Sequence, residues 1–266
     1  MNRRAALAAG TAVVGTALGG IVVGEYEGDT SPAVPPLSAT GTLLEDTDRE
    51  TTYYELGGGD DGPTGVIIGG VHGDEVNGYR AAEAILDWTL AKGSLIVVPW
   101  ADVAAIRANS REGPDGDLNR KFPAGEEPKT ELARALWNLI VDTQPEIVVD
   151  LHRSRGIFET HDRWVGQAIF PTATGDALEH AETLVQDLND EIVPRTLRFH
   201  RFTVGNELGG NRPMIIHKVG ADLGTAGYIV ELTEFLLDLE TQVDWTTLIA
   251  ARLLGAHGIE RVAADR

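Results

Sequence analysis

Residues 66–75 read VIIGGVHGDE, three β-branched residues that run into a glycine-rich turn carrying a histidine and two carboxylates. A second run, IVVDLH at residues 147–152, also ends on a histidine. Uninterrupted apolar runs of this length are typical of strands that are buried on both faces of a sheet. The two segments therefore predict core strands of an α/β protein, in which functional side chains gather at the carboxyl ends of the strands.

The remainder of the chain alternates β-branched runs with stretches at helical spacing. This pattern predicts a single α/β domain with a mixed, largely parallel central sheet flanked by helices. Residues 100–127, rich in Gly, Pro, Asp and Arg, predict a long loop over the strand ends. The predicted strands are residues 51–56, 65–69, 95–99, 147–151, 167–170 and 228–232, and the predicted helices are residues 78–91, 129–141, 176–189 and 243–256.

Composition excludes several classes of function. The 266 residues include 41 Asp and Glu against 22 Lys and Arg, a formal net charge of −19, so nucleic acid is not an expected partner. Such an acidic surface is typical of proteins from salt-accumulating halophiles. Because the chain has no cysteine, disulfides, thiolate nucleophiles and cysteine-based zinc sites are excluded. Any metal must be held by His, Asp and Glu.

The amino terminus carries a targeting pattern. Arg3 and Arg4 precede residues 5–24, a stretch without a charged residue, as in a twin-arginine export signal. We therefore expect residues 1–40 to be an export signal or an uncleaved membrane anchor, followed by a proline-rich linker, and residues 41–266 to be the folded domain. The expected location is outside the cell or on the outer face of its membrane.

The two apolar runs bring candidate metal ligands. His72 and Glu75 lie three residues apart in a turn of small residues, and His152 follows the second core strand. Two imidazoles and one carboxylate leave the fourth position of tetrahedral zinc open, which is the catalytic pattern. We therefore predict one Zn²⁺ ion at His72, Glu75 and His152. Asp150 either orients a ligating imidazole or serves as a capping or ion-paired residue.

These residues resemble, in chain order, the motifs of the zinc carboxypeptidase superfamily, near its succinylglutamate desuccinylase and aspartoacylase branch. The resemblance implies a zinc carboxypeptidase-like fold. The matching segments are HGDE at residues 72–75, DLNRKFP at residues 117–123, DLH at residues 150–152 and YIVE at residues 228–231.

The resemblance also implies roles for individual residues. By this resemblance, His72, Glu75 and His152 are zinc ligands, and Asn119 and Arg120 bind a substrate carboxylate. Glu231 is the general base, and Arg111 polarises the scissile carbonyl. Arg107, one helical turn before Arg111, and Glu234, three residues after Glu231, are the alternatives for the last two roles.

Two departures from the family pattern leave the substrate open. No tyrosine lies between Tyr79 and Tyr228, where carboxypeptidase A-like members carry one that closes over the substrate, and 35 residues follow Glu231, so we expect a short form without the carboxyl-terminal β domain of aspartoacylases. The expected reaction is hydrolysis of an amide bond next to a free carboxylate. The substrate is then either an N-acyl amino acid or a peptide.

Further side chains are candidates for the substrate pocket. The segment 199–220, with Arg212 and His217, either shapes the pocket or is structural, and Arg153 and Arg155 either bind an acidic substrate or form surface salt bridges. The alternative to an enzyme is a zinc-binding pseudoenzyme or ligand-binding module without turnover.

Overall fold

The structure, a computed structural model, describes residues 40–57, 62–158, 160–162 and 164–262. Apart from residue 40, the predicted export signal or anchor with its linker lies outside these ranges, so the division into residues 1–40 and 41–266 stays a prediction. Among the described residues, no helix combines the length and the apolar character that crossing a membrane requires.

Within the described ranges the chain forms ten strands and six helices. The strands are β1 (Gly41–Leu43), β2 (Thr51–Gly57), β3 (Thr64–Gly69), β4 (Leu90–Lys92), β5 (Ser94–Val98), β6 (Ile147–Ser154), β7 (Ala168–Pro171), β8 (Thr203–Val204), β9 (Ala226–Thr233) and β10 (Glu260–Arg261). The helices are α1 (Val76–Ile85), α2 (Val103–Ala108), α3 (Glu131–Thr143), α4 (Ala177–Asp187), α5 (Ile215–Lys218) and α6 (Leu239–Ala256).

Eight strands form one sheet in the order β1-β2-β5-β3-β6-β9-β7-β8. The centre is parallel, with β5, β3, β6 and β9 side by side, whereas β2 and β7 join it in the antiparallel direction. The remaining two strands, β4 and β10, pair with each other. The mixed, largely parallel sheet flanked by helices confirms the predicted fold class.

Apolar cores lie on both faces of this sheet. Along β3, Val66 and Ile68 belong to the core that contains α3 and α5, whereas Ile67 belongs to the core that contains α1, α4 and α6. All three side chains are fully buried. Burial on both faces explains why the central strands read as continuous apolar runs.

All six predicted strands are present, but some predicted boundaries are wrong. Strand β6 continues to Ser154, so His152 lies inside the strand and not beyond its end. The predicted helix at residues 78–91 ends at Ile85, because Leu90–Lys92 pairs with β10.

The predicted loop at residues 100–127 is also not wholly irregular. It contains α2, where the Asp102 side chain caps the first turn by accepting a 2.9 Å hydrogen bond from Ala105 N, and a short 3-10 turn at Leu118–Arg120.

Candidate active site

The turn between β3 and α1 brings His72 and Glu75 to the carboxyl end of the sheet. Gly70 has a φ of +70°, a conformation that favours glycine. Gly73 packs directly on the backbone of Ala105, where a side chain would collide, and its amide donates a 2.9 Å hydrogen bond to the carbonyl of Ser110. The small residues of this turn therefore allow close approach between two backbone segments.

Strand pairing places the other two predicted residues side by side. His152 on β6 is paired in register with Glu231 on the parallel neighbour β9. Paired residues of adjacent parallel strands point to the same face, and their backbones are about 4.8 Å apart. His152 and Glu231 therefore face the same space from neighbouring strands.

The three predicted metal ligands converge on one point. Each offers a ligand atom that lies within 4.8 Å of the others, and all three residues are buried. Glu75 lies between the imidazoles, with its Oε1 2.8 Å from His72 Nδ1 and its Oε2 2.7 Å from His152 Nδ1. Both histidines thus turn the same nitrogen toward the same carboxylate.

The opposite nitrogens are held by two further carboxylates. His72 Nε2 lies 3.1 Å from Asp117 Oδ1, and His152 Nε2 lies 2.7 Å from Asp150 Oδ2. A carboxylate behind an imidazole fixes the ring and its tautomer, which leaves Nδ1 as the ligand atom. Of the two roles considered for Asp150, the structure shows the contact with the imidazole.

The pKa values of these groups follow from their contacts. Burial opposes ionisation of Glu75, but the two imidazoles outweigh it and hold the pKa of Glu75 well below its usual range. Burial also opposes protonation of the histidines, yet the adjoining carboxylates raise the pKa of both His72 and His152.

The carboxylates thus favour protonation of the imidazoles, and the imidazoles favour ionisation of Glu75. Two nitrogens and a carboxylate are a donor set that suits Zn²⁺, which would replace those protons. The chemistry of the donor set fits the predicted ion.

Glu231 is the candidate base. Its side chain is partly exposed and lines the cavity described below, as do the three ligands. Burial, together with the nearby charges of Glu75 and Asp150, raises its pKa to about 7, although His152 and His72 act in the opposite direction. A carboxyl group with a pKa near neutrality both accepts and returns a proton readily.

The alternative base, Glu234, is in a different environment. Its carboxylate lies 3.4 Å from Arg153 Nη2 and 3.7 Å from Arg155 Nε. Arg155 also lies 3.9 Å from Asp74 Oδ2. The structure thus gives Arg153 and Arg155 the salt bridges considered in the sequence analysis, and Glu234 is their common partner.

Arg111 and Arg107 are separated by the structure. Arg111 Nη1 donates a 2.9 Å hydrogen bond to Glu75 Oε1, and its Nε lies 3.4 Å from Asp117 Oδ2. Arg107 instead donates to the carbonyl of Asp48, 3.3 Å away, and does not line the cavity. Arg111 is therefore the guanidinium at the metal site.

Asn119 and Arg120 both line the cavity, but they contact it differently. Asn119 is buried and accepts a 3.0 Å hydrogen bond from Ile215 N, while its Nδ2 lies 3.4 Å from both Asp150 Oδ2 and His152 Nε2. Arg120 is 46% exposed and donates a 2.8 Å hydrogen bond to its neighbour's carbonyl. Asn119 is thus a fixed part of the wall, whereas Arg120 is a half-exposed side chain of the cavity lining.

The cavity over the site has a volume of about 700 Å³. Its lining includes the three candidate metal ligands, Glu231, Arg111 and Arg120, together with the apolar side chains of Val165, Phe170, Leu208, Met214 and Ile229. Arg212 and His217 also line it, so the segment 199–220 does shape the pocket. Among the described residues, Arg212 has no ion-pair partner.

Sequence reasoning missed two residues that hold the site together. Asp117 was read only as the start of the DLNRKFP segment, and its contact with His72 is made across 45 positions. The buried Asn77 donates hydrogen bonds from Nδ2 to the carbonyl of His152 (3.3 Å) and to Thr246 Oγ1 (3.2 Å). In the sequence, the position of Asn77 directly after the turn with His72 and Glu75 could have indicated its role. For Asp117, the indication was an acidic residue directly before Leu118 and Asn119.

Comparisons with known proteins give one family-profile match and one curated relative, each over part of the chain. The profile of the succinylglutamate desuccinylase/aspartoacylase catalytic domain matches residues 61–158, which include His72, Glu75 and His152. A curated relative, the N-alpha-acetyl-L-2,4-diaminobutyric acid deacetylase of Halomonas elongata, is 30% identical over 128 residues. That match covers 46% of this chain and 35% of the deacetylase, so the chain spans about a third of the length of this relative.

Solved structures show the same fold. The tripeptide-bound cell shape determinant Csd4 of Helicobacter pylori has a TM-score of 0.68 at 19% identity, over 81% of this chain and 57% of that one. A succinylglutamate desuccinylase/aspartoacylase of Rhodobacter sphaeroides has a TM-score of 0.56 at 22% identity, over 82% of this chain and 62% of that one. At these identities the likenesses show a shared fold.

Proposed function

We propose that this chain, with its zinc carboxypeptidase-like fold and desuccinylase/aspartoacylase-type catalytic segment, is a zinc-dependent hydrolase of an amide bond next to a free carboxylate. The observation that carries the proposal is the convergence of His72 Nδ1, His152 Nδ1 and Glu75 beside Glu231, at the floor of a cavity of about 700 Å³. The Halomonas relative, a deacetylase by name, supports amide hydrolysis.

The proposed chemistry divides between the ion and the chain. Zinc, when bound by His72, Glu75 and His152, lowers the pKa of water and polarises a carbonyl. Glu231, which faces the same space as His152, accepts the proton of the attacking water and delivers it to the leaving nitrogen. Arg111 donates hydrogen bonds to the carbonyl oxygen as negative charge develops there.

Two arginines that line the cavity, Arg120 and Arg212, favour a substrate with a free carboxylate. Arg120 contacts Asp117 only at 4.0 Å, and Arg212 has no ion pair within the part of the chain that the structure describes. A guanidinium can grip a carboxylate through two parallel hydrogen bonds. Asn119 supports Arg120 by fixing the adjoining backbone to α5.

Two substrate classes satisfy these requirements. The Halomonas relative is a deacetylase of an N-acetylated amino acid, and one Csd4 structure contains a tripeptide. A cavity of about 700 Å³ is large enough for an N-acyl amino acid or for the end of a peptide. The substrate is therefore either of these, with the free carboxylate as the shared feature.

A panel assay tests the proposal. N-acyl amino acids and short peptides, each paired with its carboxamide, are incubated at high salt with zinc and the purified protein. We expect cleavage of acids and not of the matched carboxamides. No cleavage of any compound by zinc-loaded protein would favour the pseudoenzyme or binding module.

Replacement of the base gives the sharper result. Glu231→Gln should retain zinc and lose about 10²- to 10⁴-fold in kcat. A variant that binds zinc and turns over at the parent rate would show that Glu231 is not the base.

We also propose that the protein is exported through its paired arginines, because Arg3 and Arg4 precede an uncharged stretch. Replacing both with Lys should keep the protein inside its cell, as measured by fractionation. Export at the parent level would contradict the proposal.

A further inference from the structure

A buried ammonium group holds the loop that follows Arg120. Lys218, at the end of α5, is only 2% exposed although it carries a charge. Its Nζ donates hydrogen bonds to the carbonyls of Pro123 (3.0 Å) and Glu126 (2.7 Å) and to Asp222 Oδ2. The Nζ also lies 4.6 Å from the ring centre of Trp137 on α3. All three N–H donors of the ammonium are thus used.

Two acceptors of Lys218, the carbonyls of Pro123 and Glu126, belong to the segment that follows Arg120. Asp222 accepts from Lys218 through Oδ2 and from the Gly125 amide through Oδ1, at 2.8 Å. The Phe122 amide donates a 3.1 Å hydrogen bond to the carbonyl of Pro213, next to Arg212. The segment 121–126 therefore joins both cavity arginines to the same anchor.

A buried ammonium is costly unless it is paired and fully hydrogen-bonded, and removing its charge leaves its acceptors without a donor. Two of the three acceptors here are backbone carbonyls of one loop, so the bonds fix the path of that loop. Since Arg120 is exposed and lightly paired, its position depends on this backbone.

We propose that Lys218 is a positioning residue that sets the separation of Arg120 and Arg212 and thereby the affinity for the substrate carboxylate. This role for Lys218 rests on the proposed function, because it assumes a substrate with a free carboxylate. Lys218 lies outside the metal cluster and does not line the cavity. Its loss should therefore change KM and leave the metal and the chemical step intact.

The test uses Lys218→Met, which keeps an unbranched side chain and removes the charge. For the zinc-loaded full chain, we expect KM to rise about 10- to 100-fold, the range for losing a charge-assisted carboxylate contact, with kcat within about 2-fold. Hydrogen exchange at the amides of Phe122 and Gly125 should become at least about 10-fold faster, while exchange in β6 stays unchanged.

Two further variants separate positioning from plain stability. Asp222→Asn keeps an acceptor for Lys218 and should give a smaller rise in KM, which tests the proposal even if Lys218→Met does not fold. Asp238→Ala removes the side-chain cap of α6, two 2.9 Å hydrogen bonds from the amide and the hydroxyl of Thr241, at an exposed position outside this loop and outside the cavity lining. It should lower Tm and leave KM unchanged.

Two results would overturn the proposal. One is a parent-like KM in Lys218→Met and Asp222→Asn, and the other is unchanged exchange at Phe122 and Gly125. The exchange measurement needs no turnover. If the parent protein cleaves no compound, the proposed function fails while exchange still decides whether Lys218 holds the loop.

Discussion

Replacing Asp150 with Asn should weaken zinc binding more than the same change at Asp117. Asp150 is fully buried, and its Oδ2 lies 2.7 Å from His152 Nε2. Asn keeps the shape and one oxygen acceptor but removes the negative charge that supports the imidazole. Carboxylates behind ligating histidines typically contribute 10- to 100-fold to metal affinity. For a short, water-free contact we expect the upper end, a loss of about 100-fold, or roughly 2.7 kcal/mol.

Asp117 provides the matched comparison. Its Oδ1 lies farther from the imidazole, 3.1 Å from His72 Nε2, its side chain is 14% exposed, and its other oxygen lies 3.4 Å from Arg111 Nε. Water and the guanidinium already weaken its support of the ring. We therefore expect Asp117→Asn to lose about 10-fold in zinc affinity.

Both affinities can be measured by competition with a chelator of known affinity at near-neutral pH and fixed salt. Circular dichroism of each variant controls for folding. An equal or larger loss in Asp117→Asn, or parent-like zinc affinity in Asp150→Asn, would refute the argument from burial and distance.

Three further predictions concern the cavity, the core and the response to acid. Arg111→Met should lower kcat about 10²- to 10³-fold, whereas Arg107→Met, outside the cavity, should stay near the parent rate in the same assay. Phe122→Ala should destabilise the fold by about 3–5 kcal/mol in urea unfolding, because Phe122 is fully buried, and a loss below about 1 kcal/mol would contradict this. Burial, aided by the charge of His180, lowers the pKa of His257 in the folded protein to about 4. In the unfolded chain the same side chain has a pKa near 6.5, so on acidification the unfolded chain binds a proton at a higher pH than the folded protein does. Stability should fall as pH drops from about 6.5 to about 4, by roughly 1 kcal/mol at pH 5 after allowance for solvent screening at this half-exposed ring. His257→Gln should remove that part of the pH dependence in unfolding of the zinc-loaded protein, and an unchanged slope would count against the assignment.

Much of the fold could be predicted because its central strands are buried on both faces. Val66, Ile67 and Ile68 leave no polar residue that would suggest another structure. The helix α2 was missed because six residues between Gly- and Pro-rich stretches are too short to show a helical period. The predicted helix wrongly includes Leu90 and Ala91 of β4, because the pairing of this strand with β10 depends on residues 168 and 171 positions away (260 − 92 and 261 − 90).

The candidate site was predicted less evenly. His72 and Glu75 lie in one turn, so their spacing of three residues was enough to predict that they reach the same point. Asp117 and Lys218 act through contacts that local sequence does not encode, one across 45 positions and the other with backbone carbonyls. In so acidic a chain, the sequence around Lys218 also does not indicate that this side chain is buried.

The register between β6 and β9 ties activity to correct assembly of the sheet. His152 pairs with Glu231, and the neighbours of Glu231 along the strand are the fully buried Val230 and Leu232. A slip of one residue would turn Glu231 into the opposite core and present an aliphatic side chain to the cavity. Such a molecule could retain most of its strands and bind zinc yet lack a base. The fraction of zinc-loaded molecules that are catalytically active therefore reports how much of the sample has β6 and β9 in the correct register. Active-site titration measures this fraction.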